Sequence, residues 1–279
     1  MKPRLLILAA ALLYSTGGAA IKAISLTSWQ VASLRSLIAA IAILLLVPES
    51  RRGWTLLVWI ISLSHALTLV LFVLATRLTT SANAIFMQAT APFYLLAIGP
   101  LLLKEPNTKR DYLLGGAVGI GMLLFFFDAP STTALAPNPA LGNALAAVTG
   151  LTWALTLTGL RKLGKQPGTN NLSVVATGNL TAFALAAPFA FPIASIGATG
   201  IAALIYLGVF QIGLAYVCLT RGVRQVPAFE TSALILLEPA MNPVWTYFLH
   251  GETPGPLSLG AGAIIIGATL AHTWASRGD

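Results

Sequence analysis

The chain has 279 residues, of which 57% are hydrophobic and 9% are charged, and its formal net charge at pH 7 is +8. An average soluble domain has roughly 25% charged residues, so this composition excludes a globule surrounded by water and indicates a protein embedded in lipid. The basic residues lie in short gaps between apolar runs and form no continuous stripe, which excludes a nucleic-acid partner. The single cysteine, Cys218, excludes an internal disulfide and a cysteine-based metal cluster, and no metal or cofactor is expected.

Ten apolar runs follow one another along the chain. Each is close to the roughly 20 residues that a helix needs to cross a bilayer. The runs are continuous and do not alternate between polar and apolar residues, so helices are favoured over barrel strands. The predicted spans cover residues 5–24, 30–47, 54–75, 80–103, 111–127, 140–161, 172–192, 200–220, 228–249 and 256–275.

Lysine and arginine concentrate on one side of this predicted topology. When the gaps are assigned to two sides in turn, one side collects only Lys22 and Arg77, and Arg35 lies inside a span. The other side collects Lys2, Arg4, Arg51, Arg52, Lys104, Lys109, Arg110, Arg161, Lys162, Lys165, Arg221, Arg224 and Arg277. Because basic loops remain in the cytoplasm, we predict a multi-pass protein of the bacterial inner membrane with both termini cytoplasmic.

The two halves of the sequence resemble each other. Shifts of 147 and 139 residues superpose Arg77 on Arg224, Asn83 on Glu230, Pro92 on Pro239, Glu105 on Glu252, Tyr14 on Trp153 and Lys22 on Arg161. The predicted fold is therefore an all-α polytopic membrane protein, with five-helix repeats at 1–127 and 140–279 and an outer linker at 128–139. Since each half has an odd number of spans, the repeats insert in opposite directions. Inverted repeats are typical of alternating-access transporters, which bind substrate near the bilayer midplane.

The order of spans and motifs is similar to that of a known family. The chain resembles the EamA type of the drug/metabolite transporter superfamily over its whole length, and the last span of each half is rich in glycine. The matching residues are Leu34-Arg35, Leu237-Glu238-Pro239 and Gly251-Glu252. The resemblance implies export of small metabolites, amino acids prominent among them, through a cavity lined by spans 1, 3, 4, 6, 8 and 9.

A second resemblance concerns the first span. Tyr14-Ser15-Thr16 followed by Lys22 is similar to the amino-acid exporters of the YddG kind. Tyr14 stands where a tryptophan is expected in that group, and Trp153 supplies a tryptophan in the second half.

Three of the ionisable residues within predicted spans are candidates for function, because an ionised side chain costs about 2.5–3.5 kcal/mol at a helix centre. Glu238 is predicted to carry a proton or to pair with a substrate ammonium group; the alternative is a protonated carboxyl or a bond to backbone freed by Pro239. His65 either relays a proton or bonds across helices. Arg35 could attract a carboxylate, but an ion pair or extension to the outer headgroups is favoured.

Pro92 and Pro239 occupy matched positions in the fourth and ninth spans. Proline lacks an N–H and clashes with the carbonyl four residues earlier, so we predict that both residues break their helices and act as hinges. The freed carbonyls of Gln88 and Ile235 are then predicted to face a central cavity. A simple packing kink is the alternative.

Amphipathic side chains of six spans are predicted to line this cavity. Amides can bond an α-amino or α-carboxyl group, and aromatic faces can hold an apolar side chain or a cation. For each residue, a place at the interface or in a helix contact is the alternative. The predicted substrate-binding residues are Tyr14, His65, Gln88, Tyr94, Trp153, Gln211, Tyr216, Glu238, Asn242 and Trp245.

The sequence therefore predicts a secondary transporter that exports amino acids or similar metabolites, and not an enzyme. Its partners are a small-molecule substrate, membrane lipids and a coupling proton, in a monomer or homodimer. A sugar or nucleotide-sugar antiporter of the same fold is the alternative, but it would need several basic residues in the cavity, and only Arg35 and Lys22 are available. A membrane-embedded enzyme or a channel is a third hypothesis, for which the approach of His65 to Glu238 is the discriminating feature.

Overall fold

The structure is a computed structural model that describes residues 3–104, 106–127, 133–164, 166, 170–222 and 234–275. Within these residues the regular structure is helical, with one isolated β-bridge between Thr133 and Ala136. The prediction of an all-helical chain is therefore confirmed. Glu105, Arg224 and Glu230 of the predicted repeat lie outside the described residues.

Eight of the described helical stretches are long and apolar enough to cross a membrane. They are Pro3–Lys22, Ser28–Leu46, Leu56–Leu78, Ser81–Leu103, Lys109–Phe127, Pro139–Gly164, Asn171–Ala190 and Ala198–Gly222. A shorter apolar helical stretch, Pro256–His272, follows near the end of the chain.

Several of these stretches consist of more than one helical element. We label the α-helices α1 (Pro3–Ser15), α2 (Gly17–Lys22), α3 (Ser28–Leu46), α4 (Leu56–Leu78), α5 (Ser81–Gln88), α6 (Ala91–Ile98), α7 (Lys109–Phe127), α8 (Pro139–Gly164), α9 (Asn171–Ala190), α10 (Ala198–Ile205), α11 (Ala215–Gly222), α12 (Leu237–His250) and α13 (Pro256–Ala275). A 3₁₀ turn covers Pro48–Arg51, and π-helical segments cover Gly99–Leu103 and Tyr206–Leu214.

Apolar side chains cover the outside of the helix bundle. Leu45, Phe127 and Phe248 are among many large hydrophobic residues that are more than half exposed. The interior combines an apolar core with buried polar residues, and bonds between some of these polar residues join the helices. The Ser62 and Thr177 hydroxyls lie 2.5 Å apart between α4 and α9. This distribution suits a protein whose outer surface contacts lipid and whose interior is held together by polar contacts.

The first membrane-length stretch is interrupted at Thr16. The Ser15 and Thr16 hydroxyls each donate to a carbonyl three residues earlier, at 2.7 Å. Such bonds compete with the regular helix, and here they end α1 just before Gly17 and Gly18 begin α2. The predicted span 5–24 contains this interruption, which hydrophobicity alone does not reveal.

Two further interruptions lie just before the matched prolines. α5 ends at Gln88 and α6 begins at Ala91, which places Pro92 in the first turn of α6. Leu236 caps α12, so Pro239 also lies in a first turn. The first four N–H groups of a helix have no intrahelical partner, so proline loses nothing there. The breaks therefore fall two or three residues before the prolines.

Candidate functional site

Three aromatic rings from three helices meet inside the bundle. The Tyr14 and Tyr216 ring centroids lie 5.3 Å apart, and those of His65 and Tyr216 lie 5.2 Å apart, both edge to face. These residues belong to α1, α4 and α11. We call Tyr14, His65 and Tyr216 the central cluster.

Polar atoms of the central cluster lack partners. The Tyr14 hydroxyl and both ring nitrogens of His65 are buried, and no hydrogen-bond partner for them lies among the described residues. Leaving a buried donor or acceptor unpaired costs about 1–3 kcal/mol, so native proteins rarely leave several together without a reason. Unpaired donors and acceptors at one buried place suit a polar ligand.

A glycine determines how the His65 ring lies. A Cβ at Gly178 of α9 would lie 2.5 Å from His65 Cδ2, so only glycine leaves room for the imidazole in this position. The close approach of α9 to α4 thus depends on Gly178.

Two charged residues flank the central cluster. Glu238, in the first turn of α12, is partly buried and lies one turn before Asn242, which bonds the carbonyl of Ser15, the residue after Tyr14. Arg35 of α3 bonds the Leu69 carbonyl, one turn along α4 from His65. Tyr216 thus contacts both Tyr14 and His65 through its ring.

The expected extension of Arg35 to the headgroups is wrong. The side chain is 1% exposed and donates to the Leu69 carbonyl at 2.7 Å. The sequence places Arg35 near the outer end of a predicted span, but in the fold its side chain is enclosed and bonds α4.

A second group of predicted residues surrounds the junction of α1 and α2. Asn242 donates to the Ser15 carbonyl and Trp245 donates to the Ser15 hydroxyl, both at 2.9 Å. A Cβ at Gly17 would lie 2.7 Å from the side-chain nitrogen of Gln211. The side-chain oxygens of Gln211 and Asn242 are buried without a partner among the described residues.

Two of the three remaining predicted residues, Tyr94 and Trp153, lie in helix contacts. The Tyr94 hydroxyl donates to the Ala147 carbonyl at 2.9 Å and thereby joins α6 to α8. Trp153 packs against the apolar core, and Gln88 is partly buried at the last position of α5. The structure does not give these three residues the unpaired polar atoms of the central cluster.

A buried ion pair that sequence reasoning missed joins the end of α2 to the segment that follows α12. Lys22 at the end of α2 lies 3.0 Å from Glu252, and both side chains are nearly inaccessible. Lys22 also donates to the carbonyls of Thr79 and Leu135, at 2.9 and 2.7 Å, and the Ser81 backbone N–H donates to Glu252. We call Lys22, Ser81 and Glu252 the closure cluster.

Neighbouring contacts hold the closure cluster in place. Gly251 adopts a left-handed conformation that ends α12 and directs Glu252 inward. A ring nitrogen of His250 lies 2.8 Å from the Ala19 carbonyl. The sequence offered a signal, because Lys22 and Glu252 both follow apolar runs on the side that is poor in charge.

These features define a multi-pass helical membrane protein with a buried polar site. A model of the EamA-like transporter family matches residues 1–127 and 140–273. The chain belongs to the EamA-like transporter family, within the drug/metabolite transporter superfamily, as its motifs predicted. Members of this family are transporters and not enzymes.

The comparison with solved structures agrees on the fold. A crystal structure of another protein superposes with a TM-score of 0.68 at 18% sequence identity, covering 99% of this chain and 97% of the other. That likeness shows the fold alone. No curated protein matches the sequence significantly.

Proposed function

We propose that the protein is a secondary transporter that exports amino acids or similar small metabolites across the bacterial inner membrane, as the YddG-like exporters do. The observation that carries this proposal is the central cluster, where aromatic edges surround unpaired Tyr14 and His65 atoms. An amino acid fits that chemistry, because it has polar ends that bond these atoms and a side chain that packs on the rings.

The proposed mechanism is alternating access by two inverted five-helix repeats, making ten spans in all. Two features support it. The family model matches two stretches on either side of 128–139, and the interruptions at Thr16 and Leu236 lie two residues from Tyr14 and Glu238. In transporters with inverted repeats, substrate binds beside such interruptions while one repeat moves against the other.

The closure cluster supports a state sealed at one end. In the predicted topology this is the outer side, so the described conformation is closed to the outside. Export then requires the contact between Lys22 and Glu252 to open. The proposed energy source is a gradient, with Glu238 as the carrier of a coupling proton.

Counterflow into liposomes tests the proposal directly. Purified protein is reconstituted with unlabelled amino acid inside, and uptake of a labelled aromatic, small polar or basic amino acid is measured beside a nucleotide sugar. We expect saturable uptake of at least one amino acid and none of the nucleotide sugar. Protein-free liposomes are the control. Uptake of the nucleotide sugar alone would establish the antiporter alternative instead.

A further inference from the structure

Arg35 is a buried cation whose bonding capacity is mostly unused. Its guanidinium has five N–H donors, and among the described residues it makes one hydrogen bond, to the Leu69 carbonyl. Its Nε is buried without a partner. No carboxylate of the described chain lies within ion-pair distance of it, in contrast to Lys22, which meets Glu252.

Arg35 cannot avoid the cost of burying an unpaired charge by losing its proton, because arginine stays charged in proteins. Burial of an unpaired charge is strongly unfavourable, so an anion is expected to join it during the working cycle. The anion that matches its planar fork is a carboxylate, which accepts two parallel bonds.

The position of Arg35 indicates where the anion would bind. The Leu69 carbonyl that accepts from the guanidinium lies one turn along α4 from His65, and the rings of His65 and Tyr216 are in contact. Both residues belong to the central cluster, where the His65 nitrogens and the Tyr14 hydroxyl are unpaired. A carboxylate bound to Arg35 therefore has other polar groups within reach for the rest of the molecule.

We propose that Arg35 is the carboxylate anchor of the transported substrate, and that it selects metabolites with a free carboxylate over their neutral derivatives. The assignment rests on the proposed transport function. It adds a residue of α3, a helix outside the predicted lining, and it gives a buried arginine a partner that the chain itself does not provide.

The test compares an amino acid that the protein carries with the amide of the same amino acid. The two differ only in the carboxylate, so their ratio of counterflow rates measures its recognition. The wild-type protein is expected to prefer the amino acid by about tenfold or more, because a site built to bond a group rejects analogues that lack it. Arg35→Gln is expected to reduce this preference to near one, and Arg35→Lys to retain part of it.

Arg77→Gln is the matched control. Arg77 also donates to backbone carbonyls, those of Ile24 and Leu26, but it lies at the end of α4 away from the central cluster. Its removal is expected to lower stability and leave the preference unchanged. An unchanged preference in Arg35→Gln and Arg35→Lys, or equal wild-type rates for both compounds, would overturn the assignment.

A second readout separates this assignment from the proposed function. The melting temperature in detergent is measured with the amino acid or its amide added. Stabilisation of the wild-type protein by the amino acid alone, lost in Arg35→Gln, supports the anchor even if no counterflow occurs, in which case the transport proposal fails by itself. Equal stabilisation by both compounds, or none, contradicts the anchor.

Discussion

Two tyrosines of the predicted cavity lining differ in the bonding of their hydroxyls. Tyr14 and Tyr94 both belong to the predicted lining, but the Tyr14 hydroxyl is unpaired and the Tyr94 hydroxyl bonds the Ala147 carbonyl. The sequence predicts the same substrate-binding role for both residues, because the difference between them depends on which helix lies beside each hydroxyl in the fold. The same is true of Arg35, whose burial depends on the helices packed around α3 and not on its neighbours in sequence.

The two tyrosines make a matched pair of variants. Tyr14→Phe removes an unpaired hydroxyl, so we expect an unchanged or slightly higher melting temperature and weaker substrate binding. Tyr94→Phe removes the hydrogen bond to the Ala147 carbonyl, so the free energy of unfolding should fall by about 1 kcal/mol with substrate affinity unchanged. Melting curves and the KM of counterflow measure both. The reverse pattern would remove Tyr14 from the site.

Gly178 provides a second prediction at the same scale. In Gly178→Ala the new Cβ, 2.5 Å from His65 Cδ2, forces the imidazole or α9 to move. Overpacking of this kind costs about 1–3 kcal/mol, and transport should fall with it. The control is Gly116→Ala, where no atom lies within 4 Å of the added Cβ and a helix favours alanine. Equal stability of the two variants would show that the His65 position is not fixed by packing.

Helical elements show how far hydrophobicity predicts the fold. The expected spans 30–47 and 54–75 correspond to Ser28–Leu46 and Leu56–Leu78. Interruptions inside spans were predictable only where proline marks them, and then only to within a few residues. The break at Thr16 depends on two hydroxyl bonds, and the nine-residue π-helical segment Tyr206–Leu214 has no simple sequence signal.

The closure cluster gives a prediction at the scale of elements, because it joins α2, α5 and the end of α12. Glu252→Gln leaves the Lys22 charge buried without its partner, at a cost of about 3–5 kcal/mol. The closed end should then open more often. Labelling by a membrane-impermeant maleimide at Ser81→Cys, in a Cys218→Ala background, should become faster.

Asp111→Asn is the control for that variant. Asp111 pairs with His272 at 2.8 Å in a more exposed place, where an ion pair contributes about 0.2–1 kcal/mol. The Asp111→Asn variant should therefore leave the rate of maleimide labelling unchanged. Labelling that is equally fast with and without Glu252→Gln would show that the pair does not hold the end closed.

At the scale of the whole molecule, our proposal couples transport to a gradient across the membrane. Glu238 lies one turn before Asn242, which bonds the carbonyl of Ser15 beside Tyr14 of the central cluster, so Glu238 is our proposed proton carrier. Glu238→Gln should abolish transport driven by a pH gradient and leave exchange of substrate for substrate intact. Flux under a pH gradient and counterflow at equal pH measure the two activities. Loss of both, or of neither, would contradict this role.

The described part of the segment that connects the two proposed repeats forms hydrogen bonds with the first repeat. The Leu135 carbonyl accepts a bond from Lys22, and the Asn138 N–H donates to the Leu78 carbonyl at 3.0 Å. The segment after Thr133 is therefore bonded to both sides of the closed end. If the gene were divided so that one polypeptide ended before Thr133 and a second began there, these bonds would remain as contacts between two subunits. The fused protein thus retains an interface through which two separately made chains could reassemble.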